Sequence, residues 1–151
     1  MKTLQEAKLE LERDLDAGTD CPCCGRWAKT YKRQVYGTLV DVMFSLHKMM
    51  ERNPQQPFFH LDEFIHFTTG VSFTLTLHWG LTERSTDVDA GKQTSGYWRL
   101  TPKGIQFLQG ALEIPKYVRL YNNEVLGFEG PQVTVKDVMG EKFDYEKLMA
   151  A

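Results

Sequence analysis

Leu4, Leu11 and Leu15 recur at helical spacing over residues 2–16 and predict an amphipathic helix, ended by Ala17-Gly18-Thr19-Asp20 with Gly18 as its C-cap. A turn of cysteines follows. Val35, Leu39, Val42, Met43, Leu46 and Met50 then recur every three or four residues. That stripe predicts a longer helix from Lys29 to about Arg52, stopped by Asn53-Pro54. Gln55-Gln56-Pro57 is loop, and Phe58-Phe59-His60 leads into a short helix at about Leu61–Phe67. After the turn Thr68-Thr69-Gly70, the segment Val71–Trp79 fits two patterns. Val71, Phe73, Leu75 and Leu77 alternate as in a strand, whereas Phe73, Leu77 and Gly80 fit a helix capped by Thr69. The helix is favoured.

Leu81–Ser85 and Gly96–Leu100 read as the arms of a hairpin around the polar stretch Thr86–Ser95, which contains Asp87, Asp89, Gly91 and Lys92. Thr101 is placed to cap the next helix, with Pro102 in its first turn, Ile105, Leu108 and Leu112 on its apolar face, and Gly110 fraying it. Tyr117–Tyr121 and Val125–Phe128 flank Asn122-Asn123 as a second hairpin. Gln132–Val135 suggests a further strand, and Asp137–Met149 a last helix weakened by Gly140. The expected class is α+β, in three stretches: 1–28 with the first helix and the cysteine turn, 29–112 as the main domain, and 113–151 as a hairpin and helix packed on it.

The order helix, helix, helix, hairpin, helix resembles a winged helix. The residues that carry the likeness are Trp79-Gly80-Leu81-Thr82-Glu83 and Tyr97-Trp98-Arg99-Leu100-Thr101-Pro102-Lys103-Gly104. They are similar to the strand entering the wing and the "Y-x-L-T-P-K-G" exit of many bacterial winged-helix proteins. The chain as a whole resembles a group of small proteins encoded by phages and prophages. The matching blocks are Cys21–Gly25, Tyr31–Arg33, Trp79–Leu81, Ser95–Thr101 and Pro115–Phe128. That resemblance implies a setting in a bacterial host cell and no established activity. By analogy with winged helices that dimerise through flanking helices, residues 2–16 offer a homodimer contact.

Composition narrows the class. The 151 residues are 42% hydrophobic and 25% charged, ordinary for a globular chain. At that length about 68–70% of the unfolded surface can be buried without disulfide staples. No apolar run approaches the roughly 18–20 residues of a membrane span, and the charged N-terminus lacks the apolar core of a signal peptide, so no membrane association is expected. Three cysteines within four positions cannot form a disulfide framework, which fits a reducing cytoplasm.

Cys21-Pro22-Cys23-Cys24-Gly25 contains C-P-x-C-G, the form of a zinc knuckle, in which thiolates three apart face one ion. Cys21 and Cys24 are the candidate ligands of a structural zinc that would fix the first helix against the second. Cys23 and His60 are the candidates to complete it, ahead of His47, His66 and His78. A metal-free turn with buried thiols and a redox dithiol remain alternatives.

The net charge is −2, but residues 21–52 carry +4 against −3 for residues 1–20. Arg26, Lys29, Lys32 and Arg33 interleave with Trp27 and Tyr31, and on a helix 26, 29 and 33 would share a face. With Lys92, Arg99 and Lys103 from the wing region they are candidates for phosphate contact; a solvated helix start is the plainer alternative. Thr68–Trp79 has no Lys or Arg to read bases, only Thr69, Ser72, Thr74, Thr76 and His78, and Asp87 and Asp89 oppose phosphate. No G-x-S-x-G, P-loop, H-E-x-x-H or dinucleotide fingerprint occurs, and Asp62-Glu63 reads as an acidic first helical turn. A non-enzymatic, nucleic-acid-associated role in regulation or DNA metabolism is expected. The alternative is an interaction module for a host or phage protein, such as a polymerase or defence complex, docking through aromatics around 68–79.

Overall fold

The computed structural model describes residues 3–65, 73–86, 96–121 and 124–150. The expectations placed on His66, Thr68–Ser72, Asp87, Asp89, Lys92 and Asn122-Asn123 lie outside these residues. The chain is a mixed α+β protein with small antiparallel sheets. Its elements are α1 (Leu4–Asp14), β1 (Thr19–Asp20), β2 (Trp27–Ala28), β3 (Tyr31–Gln34), α2 (Gly37–Arg52), β4 (Phe59–His60), α3 (Leu61–Phe64), α4 (Leu75–His78), β5 (Thr82–Arg84), β6 (Tyr97–Leu100), α5 (Pro102–Leu108), β7 (Ile114–Tyr121), β8 (Glu124–Val133), α6 (Val135–Met139), a 3₁₀ turn (Gly140–Lys142) and α7 (Tyr145–Ala150). They group into two compact units. One is Met1–Gln34 with Tyr117–Gly130, the other Val35–Lys116 with Pro131–Ala151. The stretches 1–28, 29–112 and 113–151 follow chain order, whereas this grouping follows strand pairing.

In the first unit, the Thr3 hydroxyl accepts the Glu6 N–H at 3.1 Å and the Glu6 carboxylate accepts the Thr3 N–H, a capping box that starts α1. Gly18, at φ +94°, turns the chain out of the helix while its N–H donates to the Asp14 carbonyl at 3.0 Å. β1 and β2 then pair antiparallel, Thr19 opposite Ala28 and Asp20 opposite Trp27, with residues 21–26 as their loop. The helix expected from Lys29 begins only at Gly37. Residues 31–34 form a strand instead, pairing Tyr31, Lys32, Arg33 and Gln34 with Leu120, Arg119, Val118 and Tyr117. β-Branched and aromatic Thr30, Tyr31, Val35 and Tyr36 favour an extended chain, and β7 supplies the partner. Val35 is buried as expected, but ahead of α2, its N–H donating to the Lys116 carbonyl at 3.2 Å. β7 lies between β3 and β8.

In the second unit, α2 is the central helix. Leu39, Val40, Val42, Met43, Phe44 and Leu46 are buried on it against β6, α3, α5, α6 and α7. Each such side chain contributes about 1.5–3 kcal/mol by leaving water. A three-stranded sheet of order β4-β6-β5 sets Phe59 opposite Trp98 and Thr82 opposite Leu100. Thr101 caps α5 with Pro102 in its first turn, as expected, and Gly110, at φ +80°, follows the helix end. The expected last helix is broken at Gly140 into α6, the 3₁₀ turn and α7. Residues 132–133 end β8 rather than form a strand of their own.

His47 sits on the buried face of α2, its Nε2 2.9 Å from the Tyr145 hydroxyl, and burial holds its imidazole below the usual range. His78 is shifted in the same direction by burial. Below about pH 6.5 the unfolded chain therefore binds protons that these rings in the native state do not, and stability falls. Asp41, whose carboxyl burial raises, acts in the opposite direction. The Tm is expected to drop between pH 7.5 and 5.5, and His47→Gln to reduce that drop; thermal unfolding of both proteins across this range is the check.

Candidate nucleic-acid interface and cysteine turn

The cysteine turn is the loop of the β1–β2 hairpin. The Cys21 N–H donates to the Arg26 carbonyl at 2.7 Å and the Gly25 N–H to the Cys21 carbonyl at 2.8 Å. Gly25, at φ +74°, completes the reversal. The backbone N–H of Cys24, then that of Cys23, donates to the Cys21 sulfur and holds its thiol below the usual value, and the Cys24 side chain adds to this. All three cysteines are free, and Cys23 and Cys24 are exposed.

Cys21 and Cys24 line one cavity of about 410 Å³. Soft, paired donors of this kind suit zinc, but a closed tetrahedral site needs four. Among the described residues no group of three or more His, Cys, Asp or Glu side chains is gathered to hold a metal ion. The predicted ligand His60 belongs to the second unit. There its Nδ1 accepts the Asp62 N–H at 3.2 Å, Glu63 accepts the His60 N–H at 3.0 Å, and its ring meets Tyr97 edge-on at 5.1 Å. His60 and Glu63 thus make a capping box for α3. The acidic first turn predicted at Asp62-Glu63 is present.

The walls of the same cavity carry Arg26, Lys29, Trp27, Tyr31 and Tyr121, and among the described residues no carboxylate lines it. Trp27 is 62% exposed and Tyr31 54%. Trp27 is nevertheless located: a Cβ on Gly18 would stand 2.7 Å from Trp27 Cη2, so the missing side chain at Gly18 makes room for the indole. A neighbouring hollow of about 590 Å³ shares Lys29 and Tyr31, and its other two cations are paired with carboxylates. There Arg119 pairs with Asp16, which also accepts the Thr30 hydroxyl at 2.6 Å. Thr30 first, then Arg119, holds the Asp16 carboxyl below the usual range. Lys32 pairs with Glu129 at 3.6 Å and lies 4.5 Å over the Tyr117 ring. Arg26, Lys29 and Arg33 are exposed, and among the described residues they form no ion pair.

The structure thus brings Arg26 and Lys29 together with the cysteines, and places Arg33 and Lys32 on the adjacent strand. The shared helical face for 26, 29 and 33 is replaced by a hairpin loop, a connection and a strand. Arg99 and Lys103 lie in the second unit. Arg99 forms an ion pair with Glu83 and stacks 4.6 Å over Phe58, so its charge is matched, whereas Lys103 is exposed in the first turn of α5. Lys92 is outside the described residues.

In the described part of the segment expected to face a partner, Thr74 is exposed and His78 half-buried, but the aromatics and Thr76 are turned inward. Phe73 is buried edge-on between Phe64 and Trp98, at 5.3 and 5.0 Å, and Trp79 donates its indole N–H to the Pro115 carbonyl at 2.8 Å. Thr76 is buried, donating to the Phe73 carbonyl at 2.6 Å and sharing a hydrogen bond with Thr82. It is a structural hydroxyl rather than a base reader, and Phe73 and Trp79 form no docking surface. The sequence reading missed Tyr121 as a wall of the cysteine cavity; its one signal was the unusual density of tyrosine in Tyr117–Tyr121. No protein-family model, curated protein or solved structure matches this chain.

Proposed function

We propose that this chain is a non-enzymatic, nucleic-acid-associated protein that grips phosphates through the cysteine hairpin, acting in phage or prophage regulation or DNA metabolism. One observation carries the reading. Arg26 and Lys29 line, with exposed Trp27 and Tyr31, a cavity that has no carboxylate among the described residues, and together with Arg33 on the following strand they stand exposed and without ion pairs among those residues. Neighbouring Lys32 and Arg119 are paired with Glu129 and Asp16, so within this unit Arg26, Lys29 and Arg33 are the cations of the 26–33 stretch and its partner strand left without an ion pair among the described residues. The second unit is read as a winged helix: helix, strand, two helices and two strands, with the first strand outside the last in the order β4-β6-β5. Its described recognition segment carries no cation, which favours binding at the hairpin with little sequence preference. A structural zinc on Cys21 and Cys24 would brace that hairpin.

Three phosphate contacts give a defined salt response. Affinity for labelled random-sequence DNA, single-stranded or duplex, is expected to fall about 20- to 40-fold between about 50 and 200 mM salt. Charge reversal at Arg26, Lys29 and Arg33 together is expected to abolish binding and its salt slope, while reversal of Lys103 changes little. Fluorescence anisotropy checks both. No binding at low salt would discard the reading.

A protein-interaction module is the second reading, and one feature favours it. β8 stands at the edge of its sheet and exposes Val125, Leu126 and Phe128. That is the form an extended partner strand could extend.

A further inference from the structure

The nucleic-acid reading leaves open which form of nucleic acid the hairpin takes, and the geometry of its aromatics answers that. Trp27, Tyr31 and Tyr121 are the aromatic side chains of the cysteine cavity, and Trp27 and Tyr31 are more than half exposed. Large apolar rings left in water are unfavourable to keep unless something covers them. The indole is held in place as well, because Gly18 gives it a seat that a Cβ would fill. A fixed ring presents a preorganised face, which lowers the ordering cost of binding. Arg26 and Lys29 border the same cavity, which is within the roughly 300–1,000 Å³ range of small-ligand sites.

A ring face beside two cations matches a chain that offers flat π-surfaces and phosphates together. A duplex offers the phosphates but buries its base faces in the stack. A single strand offers both. From this, and resting on the nucleic-acid reading above, we infer that the cysteine hairpin binds single-stranded nucleic acid, with an unpaired base stacked on Trp27 and Tyr31 and the flanking phosphates on Arg26 and Lys29. Stacking is indifferent to base identity, because every base has a π-face, so the site discriminates strandedness rather than sequence.

The protein contains its own reporter. Trp79 and Trp98 are buried, at 2% and 3% exposure, so a change in solvent-accessible tryptophan emission comes from Trp27. The experiment titrates full-length protein with oligothymidylate, oligouridylate and a random duplex at about 50 mM salt, following emission and anisotropy. The expected result is quenching by either single strand, with affinity at least about tenfold above that for the duplex. Trp27→Ala is expected to weaken single-strand binding about 5- to 150-fold, with Trp27→Phe restoring most of it. Because Trp27 packs on Gly18, Tyr31→Ala serves as an independent variant: its ring is more than half exposed and is not what Gly18 makes room for, and it too is expected to weaken the single strand selectively. If the duplex binds as tightly as the single strands and neither variant matters, the stacking inference is overturned while the phosphate-gripping reading stands. If nothing binds, both fall.

Discussion

Gly104→Ala should lower the Tm of this protein by about 6–12 °C, the equivalent of about 3 kcal/mol or more. The direction is opposite to what helix propensity dictates, since alanine in a helix is normally better than glycine by about 1 kcal/mol. The reason is local. Gly104 lies in the first turn of α5, its N–H donating to the Thr101 hydroxyl at 3.1 Å. A Cβ at this position would stand 3.0 Å from the Leu81 carbonyl carbon, 3.3 Å from its Cα and closer still to its oxygen. The backbone of Leu81 cannot easily yield. Its carbonyl accepts the Thr101 N–H at 3.0 Å, its side chain is fully buried, and the next residue opens β5, paired to β6. Thr101 is tied to the same turn through its hydroxyl, which donates to the Gly80 carbonyl at 2.6 Å. Accommodating one methyl group therefore means separating α5 from the turn that leads into the sheet. Gly37 is the control. It opens α2 with nothing within 4 Å of its would-be Cβ, so Gly37→Ala is expected to be neutral or stabilising by up to about 1 kcal/mol. Thermal melts of the two variants side by side decide between a packing origin and a general intolerance of alanine.

The structural zinc proposed above predicts an effect of similar size. If Cys21 and Cys24 supply thiolates to a structural ion, free zinc at about a thousand times its Kd raises the Tm by about 8–16 °C, and a chelator reverses it. The turn is suited to this role. Two backbone N–H groups point at the Cys21 sulfur, lowering its thiol pKa, and Gly25 takes the positive φ that closes the loop. Cys21→Ser with Cys24→Ser should remove the zinc response, and Cys23→Ser alone reads whether the third thiol, whose side chain also bonds Cys21, contributes to it. Metal analysis of the native protein together with thiol titration gives the reading directly. Bound zinc with protected thiols supports it; no zinc with three reactive thiols overturns it. Emission from exposed Trp27, across the hairpin from Asp20, reports whether the loss is local to this loop.

Local chemistry was legible in the sequence wherever neighbours in the chain decided the outcome. The first helix, its end near Gly18, the buried stripe from Leu39 to Leu46, the hairpin arms at 82–84 and 97–100, and the Thr101-Pro102 start of α5 all follow from spacing, capping and turn residues. So does the cysteine turn as a tight loop stabilised by its glycine. Tertiary structure alone decided the rest. Residues 31–34 became a strand because β7, more than eighty residues later in the chain, provides hydrogen-bond partners that a helical pattern from Val35 onward could not reveal. His60 was placed to be a ligand by its chemistry and became a helix cap through the neighbouring Asp62 N–H and the Glu63 carboxylate. Arg99 and Arg26 look alike in the sequence. Glu83 and Phe58 occupy the first, while the second is left unpaired among the described residues on a cavity wall. Sequence fixes which side chains carry charge, thiol or ring. Which of them are matched, and which are left exposed, depends on long-range pairing, because only the folded backbone brings the neutralising groups within reach.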